Sequence, residues 1–126
     1  MVGIVIVSHS EKLAKGVLDV TKIMADGCPV AIAGGNDDGE YGTSYEKIKN
    51  AIEKVHCEDG TVVLVDMGSA VMTAEMVIED LEYSDVCLLD CPIAEGAISA
   101  SLSSLCGDDL ETVKKQALSV KTEAKW

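Results

Sequence analysis

Arginine and phenylalanine are absent from this 126-residue sequence, which also has one tryptophan, two prolines and only 3% aromatic residues. Without arginine, the chain cannot clamp a nucleotide through bidentate guanidinium–phosphate pairs. All ten cations are lysines, set against 22 acids for a formal charge of −12. A basic face for nucleic acid is therefore missing, and an anionic membrane surface would repel the protein. No apolar run approaches the roughly 18 residues of a membrane-spanning helix. No basic stretch precedes the first apolar run, Val2–Val7, so the N-terminus does not read as a secretory leader.

Cysteine usage is also negative evidence. Cys28, Cys57, Cys87, Cys91 and Cys106 are odd in number and form no CxxC pair, which suits a reducing, cytoplasmic compartment better than an oxidising one. A zinc set built from His56, Cys57, Cys87 and Cys91 lacks a ligand pair at recognised spacing, and no metal site is expected. What is present is core material: 48% of residues are hydrophobic and mean hydropathy is +0.22. That excludes a disordered chain and fits one domain over residues 1–126.

Four β-rich runs stand out, Val2–Val7, Pro29–Ala33, Thr61–Asp66 and Val86–Asp90. Each is continuously apolar rather than alternating, as strands are when both faces of a parallel sheet are covered. Between and after them run helical stripes: Leu13, Val17, Val20, Met24; then Tyr41, Tyr45, Ile48, Ile52, Val55; then Val71, Ala74, Ile78, Leu81; then Ile98, Leu102, Leu105; and last Leu110, Val113, Ala117, Val120. Ser8 or Ser10 can cap the first helix and Ser44 the second. Met24, Met67, Met72 and Met76 are expected as core filler. The order β-α-β-α-β-α-β-α-α predicts an α/β fold with an open, doubly wound, mainly parallel sheet. Right-handed crossovers favour the strand order 2-1-3-4, with a ligand crevice beyond the carboxyl ends of strands one and three.

Those two ends carry His9 and Asp66. A carboxylate that accepts from one imidazole N–H fixes the tautomer and leaves the other nitrogen's lone pair free. That nitrogen is a nucleophile near neutral pH, and the carboxylate stabilises the ring once a group is attached. His9 and the Gly68-Ser69 pair each open a helix, where unpaired N–H groups and the helix dipole favour an anion. Ser8, Ser10, Thr43, Ser44 and Ser69 can add hydroxyls, and Gly68 allows close backbone approach. Together these make a phosphoryl cradle that needs no arginine. His56, at the end of the second helix, is expected to complement that helix's C-terminus.

Five segments in order, Gly3–Ser10, Leu13–Gly16, Ala33–Gly35 with Asp38-Gly39 and Gly42–Ser44, Val65–Ala70, and Cys91–Ala97, resemble the DhaM family. DhaM is the phosphoryl-transfer subunit of the phosphotransferase-system-dependent dihydroxyacetone kinases, and the likeness runs from residue 3 to about residue 120. It implies a fold like the mannose-type IIA domains and a homodimer. It implies that His9 is phosphorylated on Nε2 by the histidine-containing phosphocarrier protein, HPr, with Asp66 supporting the imidazole. Ser10, Thr43, Gly68 and Ser69 would line the phosphoryl site. The group would pass to ADP on a separate ADP-binding kinase subunit, and a dihydroxyacetone-binding subunit would use the ATP; this chain would bind no cofactor itself. Met67 stands where the family usually has leucine, a volume-conserving change. Some members carry further phosphocarrier domains, for which 126 residues leave no room.

Two rivals remain. A mannose-family sugar-transport IIA domain would use the same histidine but pass the group to a histidine of a IIB protein. Such domains usually read Gly-Gly-Ser-Pro after strand three, where this sequence has Met67-Gly68-Ser69-Ala70. A flavodoxin-like or receiver-like regulatory module would need aromatic stacking or an acidic cluster at the end of strand one, and Ser8-His9-Ser10 stands there instead.

Overall fold

The computed structural model describes residues 1–124 and 126. Its elements are β1 (Gly3–Ser8), α1 (Glu11–Met24), β2 (Val30–Gly34), α2 (Tyr45–Val55), β3 (Thr61–Val65), α3 (Ser69–Leu81), β4 (Val86–Leu89), α4 (Ile93–Leu105) and α5 (Leu110–Ser119). The sheet is parallel throughout and ordered β2-β1-β3-β4, the fold class and strand order that the apolar runs predict. Strand limits move by one residue. β1 takes in Ser8, and β3 and β4 stop before Asp66 and Asp90, which are left at the carboxyl rim. No helix among the described residues is long and apolar enough to cross a membrane.

Continuous apolar strands are needed because both faces of the sheet are covered. Ile4, Ile6, Val62 and Leu64 point to one side, against Ala14 and Val17 of α1, Ala97 and Ala100 of α4, and Val113 and Ala117 of α5. Val5, Val7 and Val63 point to the other, against Ile48, Ile52 and Val55 of α2 and Ala70 and Val77 of α3. Each fully buried aliphatic side chain contributes about 1.5–3 kcal/mol.

The helix faces differ from the expected stripes in an instructive way. On α4 the buried line is Gly96, Ala97, Ala100, Ser101, Ser103 and Ser104, while Leu102 and Leu105 stay partly exposed. The helix lies so close to the sheet that a Cβ on Gly96 would be 2.5 Å from Cys91 Sγ and 2.8 Å from Leu64 Cδ2. Only small side chains fit such an approach, so the large ones go to the flank. α1 does the same: Ala14, Val17 and Thr21 are buried, and Leu13, Val20 and Met24 are exposed. Tyr41 lies in the loop before α2, 84% exposed, and not on the helix. The four methionines are a further correction. Met24, Met67, Met72 and Met76 are all exposed, Met72 to 74%, and none fills the core.

Candidate active site

The sheet register builds the site. Val7 pairs with Val65, and the Asp66 N–H donates to the Val7 carbonyl at 3.2 Å, so the two chains leave the sheet side by side. His9 stands one residue beyond the end of β1. Its Nδ1 lies 3.0 Å from Asp66 Oδ1, and its backbone N–H donates to Asp66 Oδ2 at 3.1 Å. The Ser8 hydroxyl donates to the same Oδ2 at 2.9 Å. Both side chains are accessible but shielded, His9 at 19% and Asp66 at 11% exposure.

Electrostatics follow from these bonds. Burial pushes the Asp66 carboxyl up, but the His9 ring, the His9 backbone N–H and the Ser8 hydroxyl together outweigh it and hold the carboxyl below its ordinary value. An ionised carboxylate only accepts, so the ring proton of neutral His9 sits on Nδ1. Nε2 then carries the lone pair, and Ser69 Oγ lies 2.8 Å from it, in position to donate.

Two helices aim their N-termini here. α1 is capped by Ser10, whose Oγ accepts from the Leu13 N–H at 3.2 Å. That bond uses a lone pair and leaves the Ser10 hydroxyl proton available. α3 starts without a side-chain cap, and the Gly68 and Ser69 N–H groups donate to no protein acceptor among the described residues. A Cβ on Gly68 would meet nothing within 4 Å, so open space lies over that turn.

The loop from Gly35 to Thr43 closes the third side. The Gly35 N–H donates to the Ser8 carbonyl at 3.0 Å, and the Gly42 N–H to the His9 carbonyl at 3.0 Å. Asn36 Oδ1 accepts from the Asp38 and Glu40 N–H groups, which folds the loop on itself. β2 reaches this place because Gly34 has no side chain; a Cβ there would be 2.6 Å from Glu11 Cα. Thr43 follows Gly42, whose N–H holds the His9 carbonyl, and its hydroxyl makes no hydrogen bond among the described residues. A cleft of about 440 Å³ beside the loop is lined by Ser10, Lys12, Glu40 and Tyr41, among others. A second, of about 470 Å³, opens on the far side past Asp66, Met67 and Gly68.

The structure thus brings His9, Asp66, Ser10, Gly68 and Ser69 together, while Thr43 is tied to them only through the backbone of its neighbour Gly42. It does not bring Ser44, which is buried, caps α2 and hydrogen-bonds Asp37. Nor is the Ser8 hydroxyl free for a phosphoryl group, since Asp66 takes its proton. Sequence reasoning missed the loop's backbone ties to Ser8 and His9; the glycines at 35 and 42 mark turns but do not say where they bond.

The second histidine is a useful contrast. His56 Nε2 lies 2.7 Å from Asp85 Oδ1, and its ring stacks on Tyr83 with centroids 4.0 Å apart. It follows the C-terminus of α2 and pairs with the residue before β4, at the amino end of the sheet. A helix C-terminus repels the anion that two N-termini attract, so the same residue pair occurs at both ends of the sheet with opposite surroundings. Among the described residues, no group of three or more His, Cys, Asp or Glu side chains is placed to hold a metal ion.

Comparison with known proteins identifies the family. The family model EIIA-man, described as the PTS system fructose IIA component, matches residues 3–114. A relative from Escherichia coli (strain K12), the PEP-dependent dihydroxyacetone kinase phosphoryl donor subunit DhaM, is 40% identical over 120 residues covering 90% of this chain. The chain spans only about a quarter (25%) of that relative's length. The PTS-dependent dihydroxyacetone kinase phosphotransferase subunit DhaM of Lactococcus lactis subsp. lactis (strain IL1403) is 35% identical over 114 residues, covering 90% of this chain and 91% of that protein. In fold, the chain is similar to the crystal structure of a protein of unknown function, EF1359, with a TM-score of 0.85 at 24% identity over 100% of this chain and 99% of that one. By the match across residues 3–114, this chain belongs to the EIIA-man family, described as the PTS system fructose IIA component, and the likeness over nine-tenths of the Lactococcus protein makes it a homologue of proteins named DhaM.

Proposed function

We propose that this chain is a phosphoryl carrier of the DhaM type, a phosphotransferase subunit that works through a phosphohistidine on His9. The neutral imidazole, with its proton on Nδ1 and held by Asp66, attacks the phosphorus of a donor phosphohistidine through the Nε2 lone pair. The new P–Nε2 bond forms as the donor's P–N bond breaks, and the donor imidazole leaves with that electron pair. Positive charge on the His9 ring is stabilised by the Asp66 carboxylate. Ser69, which donates to Nε2 at rest, turns its proton to a phosphoryl oxygen. The Gly68 and Ser69 N–H groups and the Ser10 and Thr43 hydroxyls receive the remaining oxygens. The donor is HPr. The acceptor is ADP on a separate kinase subunit, whose ATP phosphorylates dihydroxyacetone on another. In this reading the chain holds no cofactor of its own and works in the cytoplasm as a homodimer.

The observation that carries this reading is the His9–Asp66 pair at 3.0 Å, with Nε2 turned to the N-terminus of α3. The family description, a fructose IIA component, favours one alternative acceptor, a histidine of a sugar-transport IIB protein. One experiment addresses both. The protein is incubated with ³²P-phosphoenolpyruvate, the first general phosphotransferase enzyme and HPr, then chased with ADP-loaded kinase subunit or with IIB protein. Acid-labile, base-stable label on wild type and none on His9→Ala is expected, with chase into ATP. Label that persists in His9→Ala overturns the assignment, and chase only into the IIB protein replaces the kinase reading with the transport one.

A further inference from the structure

Ser8 is the last residue of β1 and is wholly buried, a lone hydroxyl at the end of a strand of glycine, valine and isoleucine. Two bonds fix the direction of its proton. The Ser10 N–H can only donate, and it does so to Ser8 Oγ at 3.0 Å. The Asp66 carboxylate only accepts, and it takes the Ser8 proton on Oδ2 at 2.9 Å. The hydroxyl is therefore a one-way link from the N-cap of α1 to the carboxylate beyond β3. The His9 N–H reaches the same Oδ2 at 3.1 Å from a second direction. With Oδ2 pinned twice, the carboxylate cannot turn about Cβ–Cγ, and Oδ1 is left facing Nδ1 at 3.0 Å.

We propose that Ser8 is a positioning residue for phosphoryl transfer at His9: its hydroxyl locks Asp66 in the rotamer that keeps the ring proton on Nδ1 and the Nε2 lone pair free. For the transfer step this rests on the carrier reading above. The link from Ser8 through Asp66 to His9 is nonetheless a property of the resting protein and can be measured there. A hydroxyl that merely fills space would affect folding and leave the ring's tautomer alone.

The test compares wild type, Ser8→Ala and Ser8→Thr. Threonine keeps the hydroxyl, and its β-branch suits a strand. In ¹³C-Asp and ¹⁵N-His NMR of the unphosphorylated protein, Ser8→Ala should raise the pH at which Asp66 titrates, because the charged form has lost a donor. It should also lower the share of the Nδ1–H tautomer. At saturating HPr the labelling rate should fall roughly ten-fold, with half-saturation unchanged, as expected from losing one hydrogen bond to a charged group. Ser8→Thr should restore all three. If Ser8→Ala does not fold, Ser8→Cys, with similar volume and a weaker donor, replaces it. An Asp66 titration and His9 tautomer unchanged from wild type overturn the proposal, even where the melting temperature drops. The two readings fail differently. Wild type that takes no label overturns the carrier function and the transfer role of Ser8 with it; labelled wild type with unmoved resonances in the variant overturns Ser8 alone.

Discussion

Replacing Asp66 by asparagine tests the site at its most informative point. The side chain keeps its shape but exchanges one acceptor oxygen for an NH₂ donor. Two donors, the Ser8 hydroxyl and the His9 N–H, converge on Oδ2, and only the ring faces Oδ1. If the amide oxygen takes the Oδ2 position, both donors remain satisfied and the NH₂ faces the imidazole. Nδ1 must then accept, the ring proton moves to Nε2, and the lone pair needed for attack is gone. In the flipped amide the tautomer survives, but the NH₂ meets a backbone N–H that cannot turn away. Leaving that shielded donor unpaired costs about 1–3 kcal/mol, which favours the wrong tautomer by roughly 5–150-fold. Loss of the carboxylate charge slows transfer further. In a triad where the same exchange imposes the wrong tautomer, kcat falls about 10⁴-fold, so a drop of about 10²–10⁴ in the labelling rate is expected here. Rapid-quench labelling measures the rate and ¹⁵N NMR reads the tautomer. A rate within about three-fold of wild type, or a His9 Nε2 that stays unprotonated in Asp66→Asn, refutes the reasoning.

The same substitution predicts a pH dependence of stability. Because Asp66 is held below its ordinary value in the folded protein, its contribution is complete above the unfolded carboxylate range, near pH 4, and is lost as pH falls through the folded value. The melting-temperature gap between wild type and Asp66→Asn should close as pH falls below about 4; a gap that widens there contradicts the sign. His56→Gln should label like wild type and lose about 1–2 kcal/mol in urea unfolding, since its bond to Asp85 and its stack on Tyr83 are structural. Gly96→Val should destabilise by about 1–3 kcal/mol through overpacking against Cys91 and Leu64, as read from chemical denaturation. Burial pushes the Cys91 thiol up to about 11, so at pH 8 in the folded protein it should resist alkylation while the exposed Cys57 and Cys106 react, a contrast peptide mass spectrometry resolves.

The sheet was legible because its signal is redundant. Continuous runs such as Val62-Val63-Leu64 suit strands buried on both faces, and four of them alternating with helical stretches point to a parallel sheet and leave few topologies. The His9–Asp66 adjacency followed from that strand order alone. Helix faces were less legible. Period 3.6 shows that a helix has an apolar side, but the side nearest the sheet is decided by how close the backbone comes. In α4 that distance selects Gly96, Ala97, Ala100 and Ser104 over Leu102 and Leu105. The exposed methionines of α3 escaped for the same reason, because the small Ala70 and Ala74 occupy its inner line. Ser8 was invisible as a link: a serine ending an apolar strand looks like a helix cap until the carboxylate it touches, 58 positions away in the chain, is placed.

The alcohol of Ser69 caps the outer nitrogen of the resting imidazole. When a group takes that nitrogen, the O–H must turn to another acceptor, either the incoming group or, because Ser69 is exposed, water. A tetrahedral oxyanion group brings such acceptors with it; a simple alkyl electrophile brings none. One rotatable O–H bond thus serves both the empty ring and, for a group of the first kind, the occupied one, with no backbone movement between the two.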